Sequence, residues 1–520
     1  MKNYDKLSQS PLIDLPFKRV IVLMMENQTY DRLLGFVDGV ETKDLKHYFQ
    51  KSSVNPETKI FCTPNADPLK DHSWDPPHGH DDIVKLMWGM DKSKWPWIMK
   101  HDENFIDPTD INFDRNQSKK VDVLINTNGD NPQNNSLCPP TGNEQLIAFI
   151  ESYKKEFPCA NKEELKAVEH KYMACFKDNS LPALHKLAKE FVTLNNYYSS
   201  VPGPTGPNRL FAHCGSSGGY CGGSWTTDTG LRPHKKMKTI FELLDEKTLT
   251  KDDTDNNFTN WKVYGDTSLN TAASFPYVKR RADTHVKLLG EFIEDCRSHN
   301  PKENPCLPKY CWLVPEYGSN SQHPATYPHS DGMICGDNLI AEVFDAIRGN
   351  ELVWKESLFI VTYDEGGGFM DSKLPYQLVN PPKPCVDPES WAPKESKMPG
   401  YGNFPYNFRF LGTRVPCILI SPWLNKKLDT TLCEHASIVK FLLDLFTLKN
   451  DETSASAGGY LTTRVRDSGD FISILKNAMC KEMRQNIFKK LPRSKIPVGV
   501  EGQKVAGYPG PLLSPYEYSF

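Results

Sequence analysis

Short apolar runs alternate with amphipathic segments along most of this chain. Runs rich in β-branched and aromatic residues predict buried strands at residues 19–25, 262–264, 310–314, 358–362 and 415–420. Apolar residues at three-to-four spacing predict helices at 145–153, 181–191, 239–244, 338–347 and 437–446. Strands that alternate with helices predict a layered α/β domain around a largely parallel sheet.

Some stretches depart from this alternation. Residues 1–16 form a polar lead, residues 55–140 are rich in Asp, Asn, Pro and Trp, and residues 374–407 are rich in Pro and Tyr. We interpret the two longer stretches as insertions over the active edge of the sheet rather than as separate domains. The chain is therefore predicted to hold one domain over 17–450, with an extension over 451–520.

Charge and hydropathy narrow the classes of partner. Sixty-two Lys and Arg residues against 65 Asp and Glu give a net charge of −3, so nucleic acid is not expected as a partner. No apolar run approaches the roughly 18 residues that span a bilayer, and residues 1–16 lack a signal-type hydrophobic region. These features favour a cytoplasmic or peripheral membrane location. The oligomeric state stays open.

Two further features leave alternatives open. The 14 cysteines, with close pairs at 214/221 and 306/311, also fit disulfides in a secreted protein. Tryptophan and lysine are concentrated around the first insertion, and either a membrane-surface contact or internal packing explains them. The residues in question are Trp74, Trp88, Lys92, Lys94, Trp95, Trp97 and Lys100.

Acidic residues follow two of the predicted strands directly. The first strand ends in Glu26 and Asn27, and the fourth ends before Asp364 and Glu365. Ligands in open α/β sheets collect beyond the carboxyl ends of strands. Oxygen donors that converge there repel one another unless a cation lies between them. We therefore predict a divalent metal site at this edge, the alternative being two solvated turns.

Histidines in loops form a second group of candidates. His78 and His80 follow Asp-Pro-Pro, whereas His323 and His329 belong to a second Pro-punctuated loop. Loop histidines beside Asp suit metal ligation, phosphate binding or general acid chemistry. His435 begins a predicted helix, where a cap or core role is an equal alternative.

One hydroxyl lies in a rigid turn just before a predicted helix. Residues 199–209, SSVPGPTGPNR, place Thr205 among prolines and glycines. A helix N-terminus attracts anions, so Thr205 suits either an anion site or a nucleophile that attacks one. The alternative is an ordinary N-cap.

Two other motifs carry less weight. Residues 215–219, GSSGG, match the serine-esterase elbow, but a helix is predicted before them where that motif requires a strand. Residues 62–66, CTPNA, resemble the start of a sulfatase motif but lack its arginine. Neither motif predicts the function.

Six segments together resemble the phosphoesterase family. This family includes bacterial phospholipases C, plant non-specific phospholipases C and certain bacterial acid phosphatases, within the alkaline-phosphatase-like superfamily. The segments are 20–34 (VIVLMMENQTYDRLL), 199–211 (SSVPGPTGPNRLF), 239–265, 362–371 (TYDEGGGFMD), 412–423 (GTRVPCILISPW) and 435–442.

The resemblance implies an alkaline-phosphatase-like three-layer α/β/α sandwich with long loop insertions. It also implies metal-assisted hydrolysis of a phosphate ester or phospholipid through a covalent phosphoenzyme. Thr205 takes the nucleophile position, and His78 and His323 the catalytic histidine positions. The metal and phosphate-site motifs match Glu26, Asn27, Asp364 and Glu365. Substrate-binding candidates are His80, Asn208, Arg209, His329 and His435, and for Asn208 and Arg209 a structural role at the start of the helix is an equal alternative.

One departure from the family pattern bears on activity. The family commonly reads Tyr-Asp-Glu-His-Gly-Gly-Phe, whereas Gly366 stands here at the histidine position and Met370 at that of a usual tyrosine. The leading prediction is a phospholipase C-type or acid phosphatase-type hydrolase. The alternative is a catalytically impaired relative that binds a phosphorylated ligand or a lipid head group.

Overall fold

The strands of the fold are set by short, fully buried apolar runs. The computed structural model describes residues 15–68, 75–90, 145–217, 221, 237–248, 259–265, 272, 275–304, 306–317, 319–324, 332–373, 408, 410–448 and 460–494. The strands are β1 Arg19–Met25, β2 Phe49–Lys51, β3 Lys59–Phe61, β4 Thr63–Ala66, β5 Ala174–Phe176, β6 Val192–Leu194, β7 Tyr197–Tyr198, β8 Trp261–Gly265, β9 Val286–Lys287, β10 Tyr310–Val314, β11 Ser357–Tyr363, β12 Cys417–Ile420, β13 Lys427–Asp429 and β14 Cys433–Glu434.

Helices connect these strands. They are α1 Tyr30–Leu34, α2 His80–Trp88, α3 Gln145–Glu156, α4 Lys162–Tyr172, α5 Pro182–Glu190, α6 Thr205–Cys214, α7 Ile240–Thr248, α8 Pro276–Lys279, α9 Ala282–His285, α10 Leu289–Ser298, α11 Gly332–Gly349, α12 Glu351–Glu356, α13 His435–Leu445, α14 Thr463–Asp467 and α15 Phe471–Ala478. The five predicted strands and five predicted helices are confirmed, with ends that differ by a few residues.

Eight of the described strands form one sheet, in the order β13-β6-β12-β11-β1-β10-β8-β9. Strand β1 pairs in parallel with β10 and β11, whereas β12 is antiparallel to β11 and β6. All residues of β1 and β11 are buried, so both faces of the sheet centre are covered. The predicted α/β fold with a largely parallel sheet is confirmed.

The register of β1 and β11 places the predicted acidic residues together. Met25 lies opposite Tyr363 at the carboxyl end of both strands. Glu26 and Asp364 therefore leave the sheet side by side.

The buried apolar side chains form two clusters. The larger surrounds the sheet, and the smaller joins α2, α3 and α4 to β3 and β5. Helix α6 lies where the clusters meet, because Leu210 and Ala212 belong to the first and Phe211 to the second. All ten residues of α6 are buried.

Part of the first insertion differs from the expectation of a long irregular stretch. It contains β3, β4 and α2, whose three-, four- and nine-residue lengths are too short to give a clear periodic pattern. The membrane interpretation is wrong for Trp88, which is buried with its ring 5.3 Å from that of Phe410. The other tryptophans and lysines of that group lie outside the described residues. The same is true of the second insertion, residues 374–407, and of His329.

Residues 460–494 join the same core. Val465, Phe471 and Leu475 are buried in the larger cluster. Neither cysteine pair named above forms a disulfide. Among the described residues, no helix has the length and apolarity to cross a membrane.

His213 provides a test of this packing. Its ring lies edge-on to Trp312 with centroids 4.6 Å apart, and neither ring nitrogen has a hydrogen-bond partner. Burial, aided by Arg209, lowers the pKa of His213 to about 3, whereas an unfolded histidine has a pKa of about 6.5. The unfolded chain therefore binds the extra proton between these values. Stability then falls by about 1.4 kcal/mol for each pH unit below 6.5.

We expect His213→Phe to remove this dependence. As the pH falls from 8 to 5, the free energy of unfolding of the variant should rise by about 2 kcal/mol relative to that of the wild type. Urea unfolding at the two pH values measures this difference. If the free energies of unfolding of variant and wild type differ by the same amount at both pH values, His213 does not have the lowered pKa.

Candidate active site

The predicted site residues meet at the carboxyl edge of the sheet. Glu26 and Asn27 follow β1, Asp364 and Glu365 follow β11, and Thr205 is the first residue of α6. All five side chains are buried.

Thr205 faces the acidic residues. Its hydroxyl donates to Oε2 of Glu26 at 3.1 Å and lies 3.4 Å from Oδ1 of Asn27. Pro204 occupies the N-cap of α6, and no side chain caps that helix. The N-cap interpretation of Thr205 is therefore wrong: the hydroxyl points at carboxylates rather than at the helix backbone.

The loop before Thr205 is held along its length. Every carbonyl of residues 199–204 accepts a hydrogen bond. The donors are Gly412 N to Ser199, Arg464 Nη2 to Ser200, His80 Nδ1 to Pro202, and Asn208 Nδ2 to Val201, Gly203 and Pro204. Asn208 Oδ1 also accepts from the Val201 amide at 3.0 Å. Asn208 and His80 thus hold the loop, which for Asn208 is the structural role that the sequence also allowed.

Arg209 places a positive charge between the two strand ends. Its guanidinium pairs with Glu26 and, at 3.0 Å through Nε, with Oδ2 of Asp364. Oδ1 of Asp364 accepts from the backbone amides of Asn27 at 3.1 Å and Glu365 at 2.7 Å. Arg209 and Asp364 therefore hold α6 and the two strand ends in one arrangement.

His435 fixes the same strand end from another side. Its Nε2 donates to the backbone carbonyl of Asp364 at 2.6 Å, and its Nδ1 lies 3.1 Å from the hydroxyl of Tyr197. Burial lowers the pKa of His435 to about 4. The imidazole is therefore neutral and supports Asp364.

The turn at Asn27 requires glycine opposite it. Asn27 has a φ of 51°, a left-handed conformation that asparagine tolerates better than most residues. Gly367 has a φ of 63°, and a Cβ there would lie 2.4 Å from the Asn27 carbonyl oxygen. The second glycine of the DEGGGF segment is thus required by close approach to Asn27.

The Asn27 amide bears on metal binding. Its two terminal atoms, the oxygen and the nitrogen, face different groups. One lies 3.2 Å from Oε2 of Glu26 and 3.2 Å from Oε1 of Glu365. The other lies 2.8 Å from Nε2 of His323. With nitrogen toward the carboxylates, the amide donates to both. With oxygen toward them, Glu26, Asn27, Glu365 and Thr205 present oxygen atoms alone, which is the donor set that hard divalent cations prefer. The residues fit such a cation.

The carboxylates are costly to keep charged at this depth. Burial raises the pKa of Asp364 to about 7, with Glu26 adding to the shift. Burial also raises the pKa of Glu365 well above its usual range. A positive charge in the cluster would offset this cost.

Two histidines and an aspartate lie next to the carboxylates. Asp75, His78 and His323 each place a metal-ligand atom within 4.8 Å of the others. Nδ1 of each imidazole meets a backbone carbonyl, that of Pro76 for His78 and that of Pro324 for His323. The Nε2 atoms of both histidines face the side-chain amide of Asn27. The distance is 3.4 Å for His78 and 2.8 Å for His323.

The two histidines differ in charge. Burial acts to lower the pKa of His78, but Glu365 and Asp75 outweigh it and raise the pKa to about 9. Burial lowers the pKa of His323. His78 is therefore the protonated member of the pair and His323 the neutral one.

The departure at Gly366 has a structural counterpart. A Cβ at Gly366 would lie 2.3 Å from Oγ1 of Thr413 and 2.9 Å from Cγ2 of Thr29. The space that a larger side chain would need is thus filled by two threonines.

The structure brings most of the predicted site residues together, and it adds Asp75 and Arg464 to those found from the sequence. Asp75 had a local signal, the Asp-Pro-Pro sequence before His78. No local sequence signal indicated Arg464, because it is 264 residues away in the chain from Ser200, which it contacts.

Comparisons with known proteins identify the family of this chain. The phosphoesterase family model matches residues 17–449. Non-specific phospholipase C3 of Arabidopsis thaliana is 26% identical over 514 residues, covering 94% of this chain and 79% of the plant protein. Phospholipase C B of Mycobacterium tuberculosis is 28% identical over 294 residues, covering 52% of this chain and 51% of the bacterial one. A solved protein in the alkaline phosphatase superfamily, from Vibrio parahaemolyticus, is 13% identical with a TM-score of 0.28, covering 51% of this chain and 60% of that one.

We expect Gly366→Ala to destabilise the protein by about 1–3 kcal/mol, because its Cβ would overlap Thr413. Thr413→Ala removes the overlapping oxygen and should recover part of that loss in the double variant. A double-mutant cycle measured by urea unfolding tests the contact, since simple additivity would show that the two residues do not compete for space.

Proposed function

Because this chain belongs to the phosphoesterase family and is a phosphoric ester hydrolase, we propose that it acts through a phosphothreonine at Thr205, assisted by a divalent cation. The observation that carries the proposal is the buried Thr205 hydroxyl, 3.1 Å from Glu26 and directed into the carboxylate cluster. A hydroxyl serving only as a helix cap would have no reason to face these acids.

The proposed substrates are glycerophospholipids or smaller phosphate esters. Relatives that carry the name phospholipase C come from both a plant and a bacterium. The phospholipase C-type reaction is favoured, and the acid phosphatase-type reaction on monoesters uses the same residues.

The chain's own residues account for the proton and bond changes. Oγ1 of Thr205 forms a bond to phosphorus as the bond between phosphorus and the leaving alcohol oxygen breaks. Glu26, the acceptor of the Thr205 hydroxyl, is placed to hold its proton. His78, protonated at neutral pH, is placed to supply the proton that the leaving oxygen gains. Water then cleaves the phosphothreonine and restores the hydroxyl.

Glu26, Asn27 and Glu365 would hold the cation beside Thr205. A bound cation lowers the pKa of the nucleophilic hydroxyl and neutralises charge on the phosphoryl oxygens. Arg209 and Asp364 hold these ligands in place through the contacts described above. His323 orients the amide of Asn27 through Nε2.

The second candidate is a catalytically impaired member that binds a phosphorylated ligand or lipid head group. Glycine at position 366 favours this candidate, because the family commonly has a histidine there. Phosphate binding measured beside the hydrolysis assays separates the two, since an impaired binder keeps its affinity for phosphate but turns over neither substrate.

Thr205 is expected to carry the phosphoryl group during turnover. We expect Thr205→Val, which keeps the shape but removes the hydroxyl, to lower kcat by at least about 10³-fold. Thr205→Ser should keep substantial activity. Hydrolysis of phosphatidylcholine vesicles and of p-nitrophenyl phosphate is measured for each variant, and acid-quenched wild type is searched by mass spectrometry for phosphorylated Thr205. Equal rates for wild type and Thr205→Val would refute the nucleophile assignment.

Removal of divalent metal is expected to abolish hydrolysis. A chelator should inactivate the wild type, and one of Mg²⁺, Mn²⁺, Ca²⁺ or Zn²⁺ should restore the rate. Glu26→Gln and Glu365→Gln should each weaken metal binding at least about tenfold. Glu169→Gln is the matched control, because Glu169 is also buried but accepts from Ser52 and Ser53 instead of from Thr205. Full activity in metal-free protein would rule out the cation.

A further inference from the structure

The loop that presents Thr205 is anchored by a residue beyond the family match. Arg464 lies on α14, whereas the matched region ends at residue 449. We propose that Arg464 is a positioning residue for Thr205, an inference that rests on the proposed function for its catalytic consequence but not for its structural one.

The guanidinium of Arg464 is fully buried and joins three segments. It forms a two-pronged ion pair with Glu434, of which the Nη2 to Oε2 contact is 3.0 Å. Nη2 also donates to the carbonyl of Ser200 at 2.8 Å, and Nη1 donates to that of Phe408 at 3.1 Å. The guanidinium carbon lies 5.2 Å from the ring centre of Phe211 on α6.

The position of Ser200 makes this contact relevant to catalysis. Four residues separate Ser200 from Thr205, and their carbonyls are held by Asn208 and His80. Asn208 belongs to α6 itself, so its bonds shape the loop without locating it in the molecule. Arg464 supplies an external anchor, because Glu434 fixes its guanidinium from β14.

The same segment also holds the far end of α6. The Thr462 hydroxyl donates to the carbonyl of Gly215 at 3.1 Å. Gly215 is the C-cap residue that directly follows α6. A Cβ at Gly215 would lie 2.0 Å from Cγ2 of Val465, so the helix end and α14 are in close contact. Residues 462–465 therefore contact both the loop before α6 and the residue after it.

This arrangement links the C-terminal segment to the orientation of the nucleophile. A displacement of about 1 Å at a reacting group can lower a rate by about 100-fold. Arginine is suited to the role because its planar fork satisfies a carboxylate and two carbonyls at once, whereas lysine offers a single point charge.

The test compares Arg464→Gln and Arg464→Lys with the wild type. We expect Arg464→Gln to lower kcat on p-nitrophenyl phosphate at least about tenfold while KM changes less than about threefold. Arg464→Lys should give an intermediate kcat. Hydrogen–deuterium exchange of peptides covering residues 199–211 should speed up in both variants.

Two controls separate positioning from general stability. Arg484→Gln breaks another ion pair of the C-terminal segment, in which Arg484 binds Glu190 and the carbonyl of Leu424 at 2.9 Å. That variant should lower the melting temperature without changing kcat or loop exchange. If Arg464→Gln alone fails to fold, the double variant Glu434→Gln with Arg464→Gln removes both buried charges and is expected to show the same kcat loss.

The turnover and exchange measurements together decide whether Arg464 positions the loop before Thr205. Slower turnover and faster loop exchange in the Arg464 variants, with neither in Arg484→Gln, support positioning. A lower melting temperature with unchanged kcat and unchanged loop exchange overturns it. If the wild type cleaves no phosphate ester, the proposed function fails, and the exchange measurement still decides whether Arg464 holds the loop.

Discussion

The buried negative charge at the end of β1 and β11 is the constraint on which the site depends. Glu26, Asp364 and Glu365 are almost inaccessible to solvent, so their charges need compensation from the protein or from a bound cation. Arg209 compensates part of it through two ion pairs. Because Arg209 belongs to α6, this compensation also brings Thr205 to the carboxylates, so one electrostatic requirement assembles both halves of the site.

Long apolar runs were predictable from the sequence, whereas short elements were not. Strands β1 and β10 match their predicted limits, since five or more consecutive buried residues leave a clear pattern. Strands β6 and β13 have three residues each and take their structure from pairing with the sheet. Their sequences carry too little periodic signal to be recognised alone.

The same distinction applies to the site. Thr205, Glu26 and Asp364 could be found because each follows or precedes a recognisable element. The roles of Asn208 and Arg209 depend on which partner each side chain meets after folding. Arg464 lies beyond any local pattern, because its contact with Ser200 joins residues that are far apart in the chain.

Helix α6 runs along the boundary between the two apolar clusters, with Leu210 packed in one and Phe211 in the other. The helix that begins at Thr205 is therefore packed against both clusters. Because the Thr205 hydroxyl reaches Glu26 at 3.1 Å, its position depends on how both clusters pack around α6. The contact between Thr205 and Glu26 is thus sensitive to the fit between the two clusters as well as to the folding of each one.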